Sequence, residues 1–188
     1  MKPRPIILFS GGIDSLALVV MAVTRNLDPL LLHIQYDHPA AEEELSAVNS
    51  IAKAFAGSCK LHLHKMEINS ASMDTGFAEP GPRVVRGRNL LMIAAALNIS
   101  QRGNYDQIWI GCTKEDDADY WDCRDSFIYA LNILIKDDVG VAAPLIKMNR
   151  EQVLCLIPEP LRFLAWSCYQ PYCGIPCCRC NSCLQGQS

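Results

Sequence analysis

Six of the chain's ten cysteines crowd into its last twenty-one residues: Cys168, Cys173, Cys177, Cys178, Cys180 and Cys183. Cys177, Cys180 and Cys183 form a C-x2-C-x2-C run, with Cys168 nine residues earlier. Four thiolates suit a closed, structural zinc site. The same run also occurs in iron–sulfur ligation, but no fourth C-x3-C-P cysteine follows, so zinc is favoured. Disulfides rank third. Cys59, Cys112, Cys123 and Cys155 are scattered through apolar or helical contexts, and no export signal is expected. A metal here would pin a tail too short to bury enough apolar surface by itself.

At the other end of the chain stands Ser10-Gly11-Gly12-Ile13-Asp14-Ser15, directly after the apolar run Ile6–Phe9. Two glycines let a phosphate approach the backbone and permit positive φ. The first-turn amides of a following helix are unpaired and face outward with the helix dipole behind them. Ser10 and Ser15 add hydroxyls. An ordinary tight turn is the bland alternative, but its place between an apolar strand and an apolar helix favours a phosphate cradle. The turn is neither a Walker loop nor a dinucleotide fingerprint. Among the histidines, His62 and His64 alternate with leucines and read as the exposed face of an edge strand. His33 reads as strand packing, and His38 closes the second strand near the expected nucleotide site.

These residues need elements to hold them. Ile6–Phe9, Leu30–Tyr36, Leu61–Ile68, Gln107–Cys112 and Val141–Leu145 read as five strands. Ser15–Thr24, Ala40–Phe55, Leu90–Ser100 and Phe127–Lys136 read as helices. Leu90–Ser100 is apolar nearly all round and is expected to be buried. Asn149 and Gln152 form a capping box for one more helix, which Pro158 and Pro160 should stop. Residues Asn69–Arg83, with two glycines and two prolines, read as a loop able to cover a site. Strand–helix alternation predicts an α/β fold: a doubly wound, mostly parallel five-stranded sheet with helices on both faces. The expected division is a domain over 1–160 and a cysteine-rich zinc-binding segment over 161–188. Ligands of such sheets bind beyond the carboxyl ends of the strands.

Composition narrows the classes. Half of the 188 residues are hydrophobic and a fifth are charged, which fits a packed domain rather than disorder. A net charge of −3 offers no general drive toward nucleic-acid phosphates, so no direct nucleic-acid partner is expected. No apolar run reaches membrane-spanning length, and the glycines and Asp14 interrupt any signal-peptide segment, so the chain is expected to be cytoplasmic.

Ser-Gly-Gly-x-Asp-Ser resembles the pyrophosphate (PP) loop of the N-type ATP pyrophosphatases, which adenylate a carboxyl or carbonyl oxygen and release pyrophosphate. Further stretches follow in order: Gly87-Arg88-Asn89; the run from Ile110 to Phe127; Ala143-Pro144-Leu145-Ile146; and Trp166-Ser167-Cys168-Tyr169. Together they resemble the 7-cyano-7-deazaguanine synthase (QueC) family from about Ile6 to Leu184, most specifically across Gly111–Phe127.

The resemblance implies an enzyme that uses ATP, Mg²⁺ and Zn²⁺. It would convert 7-carboxy-7-deazaguanine and ammonia to the nitrile through an amide, as a homodimer. Ser10, Gly11, Gly12, Asp14, Ser15 and Asn89 would bind nucleotide, and Asp14, Ser15 and Arg88 would serve catalysis. Asp122 or Asp116 suits the base edge, Tyr120, Trp121 or Phe127 could stack on the ring, and Arg124 could fork onto the substrate carboxylate. Cys168, Cys177, Cys180 and Cys183 would hold the metal, leaving Cys173 and Cys178 as spectators. Acidic residues of 115–119 suit Mg²⁺, although a solvated acidic turn is the reading from charge alone. Sequence does not separate the roles of Asp116, Asp117, Asp119 and Asp122. Two departures stand out: Asp37-His38-Pro39-Ala40 replaces a Gly-Gln-Arg-His-like stretch, and Cys178 replaces a glycine. The rival readings are a paralogue that joins a deazapurine carboxylate to a macromolecular amine, and a non-catalytic nucleotide and zinc module.

Overall fold

Ile6 and Ile7 have no exposed surface, although adjacent residues of a strand point to opposite faces. Both faces of β1 (Pro5–Leu8) are therefore covered, as in a central parallel strand. The computed structural model describes residues 3–66, 87–116, 120–135 and 139–184. In it β1 pairs with β2 (Leu30–Gln35) and β4 (Gln107–Trp109), while β3 (Lys60–Lys65) and β5 (Gly140–Ala142) form the edges. The order is β3-β2-β1-β4-β5, and every pairing is parallel. Pro5 opens β1 rather than preceding it, where its missing N–H costs least.

Each sheet face carries its own core. Ile7 and Leu31 pack with α1 (Ile13–Thr24), α2 (Ala41–Ala54) and α5 (Arg150–Leu156). Ile6, Leu32 and Ile108 pack with α3 (Arg88–Ser100) and α4 (Asp125–Ile135). Leu16, Leu18 and Val19 of α1 are fully buried, each worth about 1.5–3 kcal/mol over exposure. Helices thus leave β1 and β4 toward opposite faces. That makes the gap between these strands the switch point of the sheet, where the turns after β1 and β4 meet.

Four expectations change. α3 is not buried all round: Ile93, Ala96 and Ser100 face inward, but Leu90 and Leu91 remain 41% and 38% exposed. An outer-layer helix has a neighbour on one side only, whatever its composition. On β3 the alternation is weak, since Leu63 is 44% exposed on the sheet edge. The fifth strand, expected over Val141–Leu145, covers Gly140–Ala142, and Leu145 beyond it is fully buried. Pro160 does not stop a helix. It opens a further turn, α6 (Glu159–Arg162), where a missing N–H is tolerated. The capping box forms as expected, with Gln152 N donating to Asn149 Oδ1 and Asn149 N donating to Gln152 Oε1, both at 2.9 Å. The loop read over 69–83, and Asp117 and Asp119, lie outside the described residues.

Candidate functional site

Gly11 has φ +82°, a conformation that strains other residues, and a side chain there would press on Val48 and the Glu44 carbonyl at 3.1 Å. Glycine therefore lets the turn fold back over α2 and aim the amides of α1 outward. Gly111 does the matching work after β4. A Cβ there would lie 3.4 Å from Asp14 and from Ser15 N, so its absence lets the two turns meet. Within the first turn, Ser15 Oγ donates to Gly12 O at 2.9 Å, and Gly12 N donates to Ser10 Oγ at 3.3 Å.

Asp14 stands at the mouth of α1 and pairs with Arg150, Nη1 to Oδ1 at 2.8 Å. Burial pushes the Asp14 carboxyl up to about 6; Arg150 opposes that shift, and Asp116 and Glu115 add to it. Arg150 is itself shifted down, chiefly by burial, against the pull of Asp14. Desolvation therefore outweighs attraction at both partners. Arg150 Nε and Nη2 are buried without a hydrogen-bond partner among the described residues. Sequence reading saw Asn149 as a cap but missed Arg150. The signal was present, because a capped N-terminus places the next residue beside whatever the helix mouth faces. Arg150 N donates to Glu115 Oε1 at 3.1 Å, while Lys114 N donates to Met148 O.

A second constellation lies at the mouth of α3. Its cap, Gly87, has no side chain to offer, and Asp122 substitutes, its Oδ2 accepting from Asn89 N at 3.2 Å. Asn89 Nδ2 donates to Asp122 O at 3.3 Å and to the Cys123 thiol at 3.3 Å. Asp122 and Asn89, named from sequence, are therefore brought together, and both are partly spent on holding α3. Asp116 Oδ2 accepts from Thr113 N and Oγ1 at 2.8 Å, bracing its own turn. The buried Cys112 thiol is pushed well up by its hydrogen bond to Cys123 and by burial, so it stays protonated and is no nucleophile.

Arg88 Nη1 donates to Tyr36 Oη at 3.3 Å, joining α3 to the end of β2. Glu44, another residue sequence reading missed, sits nearby with His38 Nε2 at 3.5 Å. Burial raises Glu44 to about 7 against the pull of Arg88. Burial first, then Arg88, lowers His38. His33 is buried, with Nδ1 2.9 Å from Phe9 O, and ties β2 to the start of the glycine turn. A cavity of about 160 Å³ opens here, lined by His33, Tyr36, His38 and Leu45 among others. Tyr169 enters from the cysteine segment. Burial raises its phenol to about 12, with Tyr120, Arg88, Asp116 and Asp14 all near enough to act on it. Tyr120 and Tyr169 thus share one region with Asp14 and Arg88, while Arg124 is exposed.

The four predicted cysteine sulfurs all lie within 4.8 Å of one another. Cys177 and Cys183 are 3.9 Å apart, and Cys180 and Cys183 are 3.4 Å apart. A tetrahedron of thiolates at about 2.3 Å from one zinc ion has edges of roughly 3.8 Å, so the set fits a single ion. In a [4Fe–4S] cluster each thiolate binds a different iron, which spreads the sulfurs farther. Backbone amides already point at them: Cys177 N donates to Cys168 Sγ at 3.2 Å and Cys180 N to Cys177 Sγ at 3.3 Å. Such bonds favour thiolate, and Cys177 is pulled down to about 6, first by the Arg179 amide. Cys178 lies outside the set at φ +54°, a conformation that glycine adopts with less strain.

The chain is 28% identical over 204 residues to a 7-cyano-7-deazaguanine synthase of Nitratiruptor sp., covering 96% of this chain and 90% of that protein. It is 30% identical over 219 residues to the synthase of Leptospira biflexa, covering 97% and 88%. An NMN synthetase structure from Francisella tularensis shares the fold, with TM-score 0.57, 16% identity, and coverage of 100% of this chain and 73% of that one. The sequence model of queuosine biosynthesis protein QueC matches residues 4–188, which takes in the glycine turn, the α3 mouth and the four-cysteine cluster alike, and so the chain belongs to the QueC family.

Proposed function

We propose that this chain is an ATP-dependent synthase that converts 7-carboxy-7-deazaguanine and ammonia to 7-cyano-7-deazaguanine. The observation that carries the reading is the meeting of the two turns at the sheet's switch point. Phosphate-ready amides of α1 stand beside Asp14 and Arg150, and the α3 mouth with Asn89 and Asp122 belongs to the same region. A carboxylate is a poor electrophile. Its oxygen would attack the α-phosphorus of ATP, pyrophosphate would leave, and the acyl adenylate would accept ammonia and release AMP. A second ATP would activate the amide oxygen in the same way. Loss of AMP and of the remaining nitrogen protons would then leave the nitrile.

Gly11, Gly12, Ser10 and Ser15 would hold the phosphates, and Arg150 and Arg88 would neutralise the departing pyrophosphate. The orphaned Nε and Nη2 of Arg150 support that role. Asp122 and Asp116 would meet the base edge, Tyr120 would stack on it, and Arg124 would take the substrate carboxylate. Burial first, then Asp116 and Glu115, raises Asp14, and Mg²⁺ bound there would offset the repulsion among the three carboxylates. Zinc held by Cys168, Cys177, Cys180 and Cys183 would fix the cysteine segment, which we read as an appendage to the 1–160 domain.

Incubating the protein with ATP, Mg²⁺, ammonium and 7-carboxy-7-deazaguanine, and following AMP and the deazapurine by mass, tests the reading. Nitrile with two AMP per turnover is expected, from protein carrying one zinc per chain and no visible absorption. Amide as the end product supports transfer chemistry instead, and absence of AMP refutes the enzyme.

A further inference from the structure

Three serine hydroxyls converge on the glycine turn, and the turn itself occupies only two. Ser15 Oγ donates to Gly12 O, and Ser10 Oγ accepts from Gly12 N. The third belongs to Ser167, the residue before the metal ligand Cys168. Ser167 is 9% exposed, and its Oγ is buried without a hydrogen-bond partner among the described residues. A side chain at Gly12 would lie 3.4 Å from Ser10 Oγ and 3.7 Å from Ser167 Oγ, and Ser15 Oγ reaches the Gly12 carbonyl, so all three meet around Gly12. This approach is fixed by backbone. Trp166 N donates to Gly11 O at 3.0 Å, and Trp166 Nε1 donates to Cys168 O at 3.0 Å. The segment that carries the first cysteine of the cluster is therefore bolted onto the turn itself.

A buried hydroxyl without a partner destabilises a fold, and such groups call for an explanation, function among them. A hydroxyl at a helix mouth that gathers amides is placed to donate to an anion. We propose that Ser167 is a phosphate ligand, donating its hydroxyl proton in a hydrogen bond to an oxygen of the triphosphate or pyrophosphate held at the glycine turn. The proposal rests on the nucleotide reading above and extends it. The cysteine cluster then does more than pin the tail, because its first residue fixes the serine that completes the phosphate site.

The test is calorimetric titration of the full chain, wild type and Ser167→Ala, with pyrophosphate and separately with a non-hydrolysable ATP analogue plus Mg²⁺. Metal content and melting temperature are measured on the same samples. Ser167→Ala should weaken binding roughly tenfold or more, with metal content unchanged and the melting temperature of the unliganded chain equal or higher. A purely structural serine would move these readouts the other way. Weakening toward both probes assigns the hydroxyl to the pyrophosphate oxygens, and weakening toward the analogue alone assigns it to the α-phosphate. Either supports the proposal. Equal affinity of the two chains overturns it. A wild-type chain that binds neither probe overturns the nucleotide reading along with it. Should Ser167→Ala lose metal, Ser167→Thr carries the test, because it keeps the donor and must bind as wild type does; failure with metal retained overturns the ligand role.

Discussion

Asp14 and Glu44 carry their charges at a cost. Their carboxyls are raised to about 6 and about 7, in each case first by burial. Raised carboxyl values reverse the usual acid effect: the folded state holds these protons more tightly than the unfolded chain. Their contribution is fully present below the unfolded pKa and is lost as pH rises through the folded one. For Glu44 the window runs from 4.5 to about 7, and the loss is about 3 kcal/mol at most. Glu44→Gln should therefore raise the melting temperature at pH 8 and change it little at pH 4. An equal shift at both values would contradict the linkage. For catalysis the sign concerns Asp14. If its carboxylate serves the nucleotide, AMP release should fall as pH drops through about 6. Arg150 is the group that lowers Asp14, so Arg150→Ala should move this acid limb to higher pH as well as slow turnover. A limb that stays in place would separate Asp14 from the pair.

Short helical elements deliver the charges to their positions. α5 has seven residues and begins with Arg150 directly after the Asn149 cap. Its reciprocal capping bonds fix the backbone from which Arg150 reaches Asp14, 136 residues away in sequence. Asn149→Ala should cost about 1 kcal/mol of stability, a fall of roughly 2–4 °C in melting temperature for a chain of this size. It should also lower the rate of AMP release by more than that small loss of fold explains. A rate equal to wild type would show that Arg150 is positioned by packing alone. At α3 the logic differs. Gly87 cannot cap, so Asp122 closes the helix from a distant segment. Asn89 then takes its place from the same residue through the Asp122 carbonyl. A residue named for its charge thus acts first as an architectural acceptor.

The two faces of the molecule are unequally covered. The α1 face is sealed by α2, α5 and the segment leading to the cysteines, with Leu161, Leu164 and Ala165 packed on the core. The α3–α4 face leaves Leu90, Leu91, Tyr129, Ile133 and Leu134 exposed by 38 to 79%. Trp121, edge-on to Phe127 at 5.2 Å and 47% exposed, stands beside Gly87 between the two helices. From Asn89 to Ser100 and from Ser126 to Ile135 no residue is charged. An uncharged apolar face suits a self-complementary twofold contact better than a charged partner. The homodimer proposed for this chain would use it. Leu134→Glu changes a side chain that is 79% exposed, so the fold should stand while light scattering reports a shift from dimer to monomer mass. Wild-type protein of monomer mass would refute the dimer. Among the described residues no helix is long and apolar enough to cross a membrane.

Local patterns in the sequence determined the sheet, the glycine turn and the cysteine set, because each depends on near neighbours. A strand buried on both faces needs an unbroken apolar run, a phosphate turn needs small residues between strand and helix, and a metal knuckle needs closely spaced thiols. Tertiary structure alone decided that α3 is half exposed, that Asp122 caps it, that Arg150 pairs with Asp14, and that Ser167 faces Gly12. Those outcomes depend on which chain ends meet across the switch point of the sheet. Local spacing cannot encode a contact between Asp122 and Asn89, 33 positions apart, or between Arg150 and Asp14, 136 apart; only the packing of two cores around β1 brings them together.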